Sequence, residues 1–170
     1  MDLLAGPFLA SAVLLVAAGG AKVADPLPLM RALRSARLPA NRSLVRAFAL
    51  LEVGLGLSAV LVGSRVAAAG IALSYAAFTG FVVLARRRGG ILASCGCFGK
   101  ADTPPTTTHV ITTGALAVVG AAVALRPLGN LPDLLGAQPG GGLPLLIATA
   151  AVAVTAYLVL SLLPMLAVAR

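Results

Sequence analysis

Five stretches of this chain, at 7–24, 44–63, 66–85, 109–125 and 143–168, run through Ala, Val, Leu and Gly with almost no charge inside them. Each is long enough to cross a bilayer, which takes about 20 apolar residues (range roughly 17 to 25). A water-soluble domain buries one core and covers it with charge. Here 59% of the 170 residues are hydrophobic and only 11% are charged, so hydrocarbon is the expected solvent for most of the surface. In hydrocarbon every backbone N–H and C=O has to be paired inside the protein, which leaves helices or a closed barrel. These runs lack the period-two alternation of barrel strands. The expected fold is therefore an all-α integral membrane helical bundle, a single transmembrane domain over residues 1–170 with a four-helix core and a fifth, C-terminal transmembrane helix.

The first run is expected to be a retained helix and not a signal peptide, because Met1 and Asp2 supply no basic n-region and the basic residues follow the apolar run. A net charge of +8 raises the question of nucleic acid, but no soluble basic domain and no aromatic-basic interleaving accompanies it, so no nucleic-acid partner is expected. Topology accounts for the charge better. Arg31, Arg34, Arg37, Arg42 and Arg46 lie between the first and second runs, and Arg86, Arg87, Arg88 and Lys100 between the third and fourth, while the remaining connections hold only Arg65 and Arg126. By the positive-inside rule the two basic loops face the cytoplasm of a cell-membrane protein whose N-terminus is outside and whose C-terminus is inside. The fourth run is short and opens on Thr106, Thr107, Thr108 and His109, which leaves a re-entrant path open for it. "PLGNLPDLLGAQPGGGLP", from Pro127 to Pro144, is rich in turn-formers and reads as an extracytoplasmic connector. Small residues at helix-packing spacing, Gly54 with Ser58, Gly70 with Ser74, and Gly114, suggest close helix contacts.

Both cysteines of the chain fall in "ILASCGCFGKADTPPTTTH", residues 91–109, with one glycine between them. Two cysteines placed at random in a chain of this length would have that separation roughly one time in a hundred. A lone membrane cysteine is by default a small inert hydrophobe, but Cys95 and Cys97 lie beside a loop and not inside an apolar run. A disulfide between residues two apart needs a bent backbone, which Gly96 tolerates. The ring so formed is strained and easily exchanged, and closing so short a loop gains little stability, so the pair suits redox exchange better than stapling. Lys100, the Arg86–Arg88 run and, across the loop, His109 would favour thiolate over thiol.

A second signal is Glu52, inside the apolar "FALLEVGLGL" and six residues past Arg46. A bare carboxylate there is costly, so it needs a partner or a proton. At about 1.5 Å per residue it lies about 9 Å deeper than Arg46, at a level shared with Lys22 and Asp25 near the end of the first run, the cysteine loop and His109. A structural ion pair with Lys22 or Arg46, a protonated acid bridging helices, and a proton donor or acceptor for thiol chemistry all fit it. For His109 the choices are helix capping, interfacial solvation or assistance to the thiols.

"GGAKVADPLPLMRAL", "ALLEVGLGL" and "CGCFG" together resemble the MauE family, within the wider DoxX-like membrane proteins, over roughly residues 8–126. The resemblance implies a small bundle tied to thiol/disulfide exchange with thioredoxin-fold partners, the founding member being linked to maturation of a disulfide-rich periplasmic enzyme. On that basis Cys95 and Cys97 form the redox pair, Phe98 and Gly99 shape the turn with Gly96, and Lys22, Asp25 and Glu52 are neighbouring polar positions.

The function expected is that of a membrane thiol/disulfide redox protein serving client maturation or redox maintenance. The clients so implied are extracytoplasmic, whereas the arginines put the thiols at the cytoplasmic face, so electrons would have to pass to another carrier, such as a quinone, to cross about 30 Å of hydrocarbon. Two other classes remain. Cys95 and Cys97 could hold a soft metal, Cu(I) or Hg(II), in near-linear coordination, or the bundle could be a scaffold subunit whose cysteines are incidental.

Overall fold

The computed structural model describes residues 3–87 and 106–161. Every regular element among them is helical: α1 (Ala5–Ala24), α2 (Leu27–Ser35), α3 (Arg42–Leu61), α4 (Arg65–Arg87), α5 (Thr107–Leu125), α6 (Leu131–Gly136), a 3-10 turn at Pro139–Gly142, and α7 (Leu143–Ser161). Of these, α1, α3, α4, α5 and α7 are long and apolar enough to cross a bilayer. The protein is an all-α, multi-pass membrane bundle. The polar opening of the fourth run does not interrupt it, since α5 is one unbroken helix of 19 residues.

Helix ends fall where side chains can replace the missing backbone partners. Asn41 Oδ1 accepts from the Ser43 N–H at 2.9 Å to open α3, Ser64 Oγ accepts from the Ala67 N–H at 3.1 Å near the start of α4, and Asn130 Oδ1 accepts from the Asp133 N–H at 2.9 Å in α6. The tight turn between α3 and α4 depends on Gly63, whose φ of 65° lies in the left-handed region. Its missing Cβ would collide with the Gly129 carbonyl across the bundle end.

Two helices stand where the sequence reads as loop. α2 occupies part of the first arginine-rich connection, with Met30 and Ala32 buried and Arg31 and Arg34 exposed. Nine residues that include two arginines and three leucines carry no span signal, but they make an amphipathic helix at one end of the bundle. α6, six residues long, lies in the Pro/Gly-rich connector and packs Leu134 against Ala5, Leu9 and Leu145.

α1 is the most buried of the membrane-length helices and α7 the least. The main core joins Phe8 and Leu15 of α1 to Ile71 and Tyr75 of α4 and to Leu116 and Val123 of α5. Outside it, Leu50, Leu57, Leu73, Ile111, Val118 and Ile147 are exposed. In water such a surface would drive aggregation, whereas in a bilayer it is the lipid-facing belt. Helices α1 and α3 run antiparallel at close range because two glycines vacate the interface. A Cβ on Gly19 would meet the Ala49 carbonyl oxygen at 2.7 Å, and one on Gly56 the Ala12 carbonyl oxygen at 2.7 Å. Gly54, singled out by spacing, faces open space instead.

G19A and G56A should each destabilise the detergent-solubilised protein by about 1–3 kcal/mol through overpacking against backbone, whereas G20A and G54A, where a Cβ meets nothing within 4 Å, should not. Denaturant unfolding of the four variants checks this, and equal losses in both pairs would refute the close α1–α3 contact.

Candidate functional site

The direction in which helical side chains lean builds the centre of the site. Every Cα–Cβ bond tilts toward its helix's N-terminus. Lys22, in the last turn of α1, therefore points back into the bundle, and Glu52, on the antiparallel α3, points toward the end where α2 lies. The two meet: Lys22 Nζ donates to Glu52 Oε2 at 2.5 Å, with both side chains essentially inaccessible. Glu52 sits ten residues past Arg42, about 15 Å into α3 at 1.5 Å per residue, so the pair lies deeper than the distance from Arg46 suggests. Phe78 of α4 supplies a third wall, its ring centroid 4.3 Å from Lys22 Nζ, where the negative face of the ring attracts the ammonium. Glu52 Oε1 is buried with no hydrogen-bond partner, and so is Arg46 Nε.

Beside the ion pair, a cavity of ≈390 Å³ opens between α2, α3 and α4. Leu33 of α2, Val45 and Phe48 of α3 and Phe78 and Phe81 of α4 are among its walls, and among the described residues Lys22 is its one charged lining residue.

His109 is fully buried at the head of α5 and is part of a capping box, in which its Nδ1 accepts from the Thr106 N–H at 3.4 Å while the Thr106 side chain accepts from the His109 backbone. The ring lies near the Leu160 backbone on α7. It thus sits where α5 approaches α7, at the end of the bundle that carries α2. Asp25 is exposed and accepts from the Leu27 N–H at 3.0 Å, so it links α1 to α2 and stands apart from the ion pair. Of the polar positions expected to converge, Lys22 and Glu52 are in contact, and His109 and Asp25 occupy the same end with partners of their own. Cys95, Gly96, Cys97, Phe98, Gly99 and Lys100 lie outside the described residues. The residues flanking that segment, Arg87 and Thr106, close α4 and open α5, and Val110 shares a shallow cleft with Val83, Arg86 and Arg87, so both ends of the segment are anchored at the α2 end.

Sequence reading left the partner of Glu52 open and did not single out Phe78. The signal for the ring was its position in the second half of α4, on the helix that leads to the cysteines.

An antiparallel membrane bundle with a buried lysine–glutamate pair and a cysteine-bearing segment hung from the same end defines a small multi-pass membrane protein. The family model described as methylamine utilisation protein MauE matches residues 2–126, and the chain belongs to that family. The match covers α1 to α5 and stops before α6 and α7. No curated protein and no solved structure matches the chain.

Lys22→Met or Glu52→Leu alone strands a charge in a dry interior and should cost about 3–5 kcal/mol, while K22M/E52L, which strands none, should recover most of the loss. A double-mutant cycle by denaturant unfolding reads the coupling, and simple additivity of the two losses would show that the pair does not act as a unit. H109A should loosen the first turn of α5 by about 1 kcal/mol, and H109Q, with a capping-box residue at the same place, should restore it. Hydrogen exchange over residues 107–111 reports both.

Proposed function

We infer that the chain is a membrane thiol/disulfide redox protein in which Cys95 and Cys97 cycle between dithiol and disulfide by exchange with a thioredoxin-fold partner. The observation that carries this reading is the Cys95–Gly96–Cys97 spacing on a segment whose two flanks are anchored at one bundle end. Membership of a family named for methylamine utilisation is compatible with service to a disulfide-bearing client protein.

The exchange balances as follows. A thiolate of the partner attacks one sulfur of the Cys95–Cys97 disulfide, forming a mixed disulfide and releasing the other cysteine as thiolate. The partner's second thiolate then attacks the mixed disulfide, and the partner leaves oxidised while Cys95 and Cys97 remain as the dithiol, two electrons richer. Arg86 and Arg87, exposed at the end of α4, hold positive charge at the start of the segment and favour thiolate over thiol. Among the described residues Arg31, Arg34, Arg37 and Arg42 are exposed at that same end, and only Arg65 and Arg126 at the opposite one. On the positive-inside rule the cysteine segment is cytoplasmic and the N-terminus is outside.

In membranes, alkylation after acid quench should reveal an intramolecular disulfide that appears with oxidant and disappears with reduced thioredoxin. C95S and C97S should abolish it, and one of the two single variants should accumulate a mixed disulfide with the partner. A pair that stays dithiol under every oxidant and partner tried would sink this reading. A membrane-impermeant maleimide should label the thiols in inverted vesicles but not in intact spheroplasts, and the reverse pattern would invert the topology.

A further inference from the structure

The geometry points to the cavity between α2, α3 and α4 as a binding site for a lipid-soluble quinone, held through one carbonyl by Lys22. The inference rests on the thiol/disulfide reading for its chemistry but on the cavity for its place.

The volume of ≈390 Å³ falls within the range of about 300–1,000 Å³ typical of small-molecule sites. Its walls suit a flat ring with an aliphatic tail. Phe48, Phe78 and Phe81 offer faces and edges for stacking, and Leu33 and Val45 offer aliphatic surface. Phe48 is part exposed on α3, which gives the cavity a side open toward lipid. At its polar end stands an ammonium with three N–H donors, of which one serves Glu52 and another direction is taken by the Phe78 ring. The ammonium is inaccessible to solvent, so a ligand oxygen takes the remaining donor as the Phe78 ring gives way.

Charge selects among amphiphiles. Lys22 and Glu52 cancel, so the inner end of the site is neutral overall and offers a hydrogen bond, not a net positive charge. A neutral carbonyl is matched to that end, and an anionic headgroup is better served by Arg31, Arg34 and Arg37, which are exposed outside the cavity. Position agrees with use: Phe81 lies six residues, about 9 Å of helix, before the end of α4, from which the cysteine segment departs.

The electron balance requires an acceptor, which a bound quinone supplies. When the Cys95–Cys97 dithiol is reoxidised, one S–S bond forms, two S–H bonds break, and two electrons and two protons pass to the quinone, whose two carbonyls become hydroxyls. Lys22 positions the ring and stabilises the negative charge that builds on the bound oxygen before its proton arrives. Glu52 holds the ammonium in place through Oε2, and its Oε1, which has no hydrogen-bond partner, can take up a proton and relay it toward the reduced oxygen.

The chain contains no tryptophan, so F48W installs a single fluorescent reporter in the cavity wall. Decylubiquinone titrated into the detergent-solubilised F48W protein should quench it saturably, and decylbenzene, which has the tail but no carbonyl, should not. K22M should weaken the quench at least tenfold. A77F, which fills the cavity from α4 and replaces neither member of the ion pair, should do the same and keeps the test open if K22M misfolds. F48W/C95S/C97S should bind as F48W does. Equal quenching by decylbenzene, or quenching unchanged by both K22M and A77F, overturns the site. Saturable, Lys22-dependent quenching in a protein whose thiols never exchange leaves this site standing and defeats the redox reading alone. Thiol exchange without quinone binding does the opposite.

Discussion

The ammonium of Lys22 has no access to solvent, and the bundle around it is bounded by hydrocarbon, so it must be neutralised within the protein. Glu52 does this, and the demand fixes much else. For the two side chains to meet head to head, α1 and α3 must be antiparallel and their backbones close, which is why Gly19 and Gly56 flank the pair on the facing surfaces. With α1 so held, α4 can pack on its other side, where Phe78 covers the ammonium and the Tyr75 hydroxyl donates to the Ser11 carbonyl at 2.8 Å. Helix α5 then docks on α4 through Thr79 and Thr113, whose hydroxyls lie 2.8 Å apart.

The five spans were legible because a bilayer writes its demand directly into composition: a run of that length with almost no charge has few alternatives. The short helices were not legible for the same reason. α2 and α6 lie in connections, where arginine, proline and glycine dominate the local signal, and what makes them helices is the surface they cover. The small-residue pattern was ambiguous at the level of a single position. In a chain this rich in alanine and glycine, spacing alone did not separate Gly54, which faces outward, from Gly56 two residues on, which faces α1.

The partner of Glu52 was decidable in principle. Arg46 is six residues away on the same helix, and at about 100° per residue that is a rotation of about 240°, well off the shared face that i+3 and i+4 neighbours enjoy. Lys22 comes from another helix and needs only the antiparallel arrangement to lean toward Glu52. His109 yields to similar reasoning: Thr-x-x-His at the head of a run is a capping arrangement, and the structure places it there. The cysteines differ in kind, because their chemistry is written in spacing and residue type and reaches the fold only through the segment's two anchored ends.

Polar side chains elsewhere in the bundle show how unusual the ion pair is. Ser11, Ser58, Thr79, Thr113 and Ser161 each return a hydroxyl to a carbonyl three or four residues earlier on their own helix, at 2.6–3.0 Å. Such back-bonding satisfies a hydroxyl in hydrocarbon at almost no structural cost, and at Thr79 and Thr113 it coexists with the contact between α4 and α5. Lysine and glutamate have no comparable local solution, since neither can be satisfied by a carbonyl of its own helix while remaining charged and dry. If stability alone set the sequence, two apolar residues of similar volume would serve these positions as well or better. Buried charge kept against that alternative, with one carboxylate oxygen unpartnered and an apolar cavity opening beside the ammonium, is what a site for a polar ligand headgroup requires.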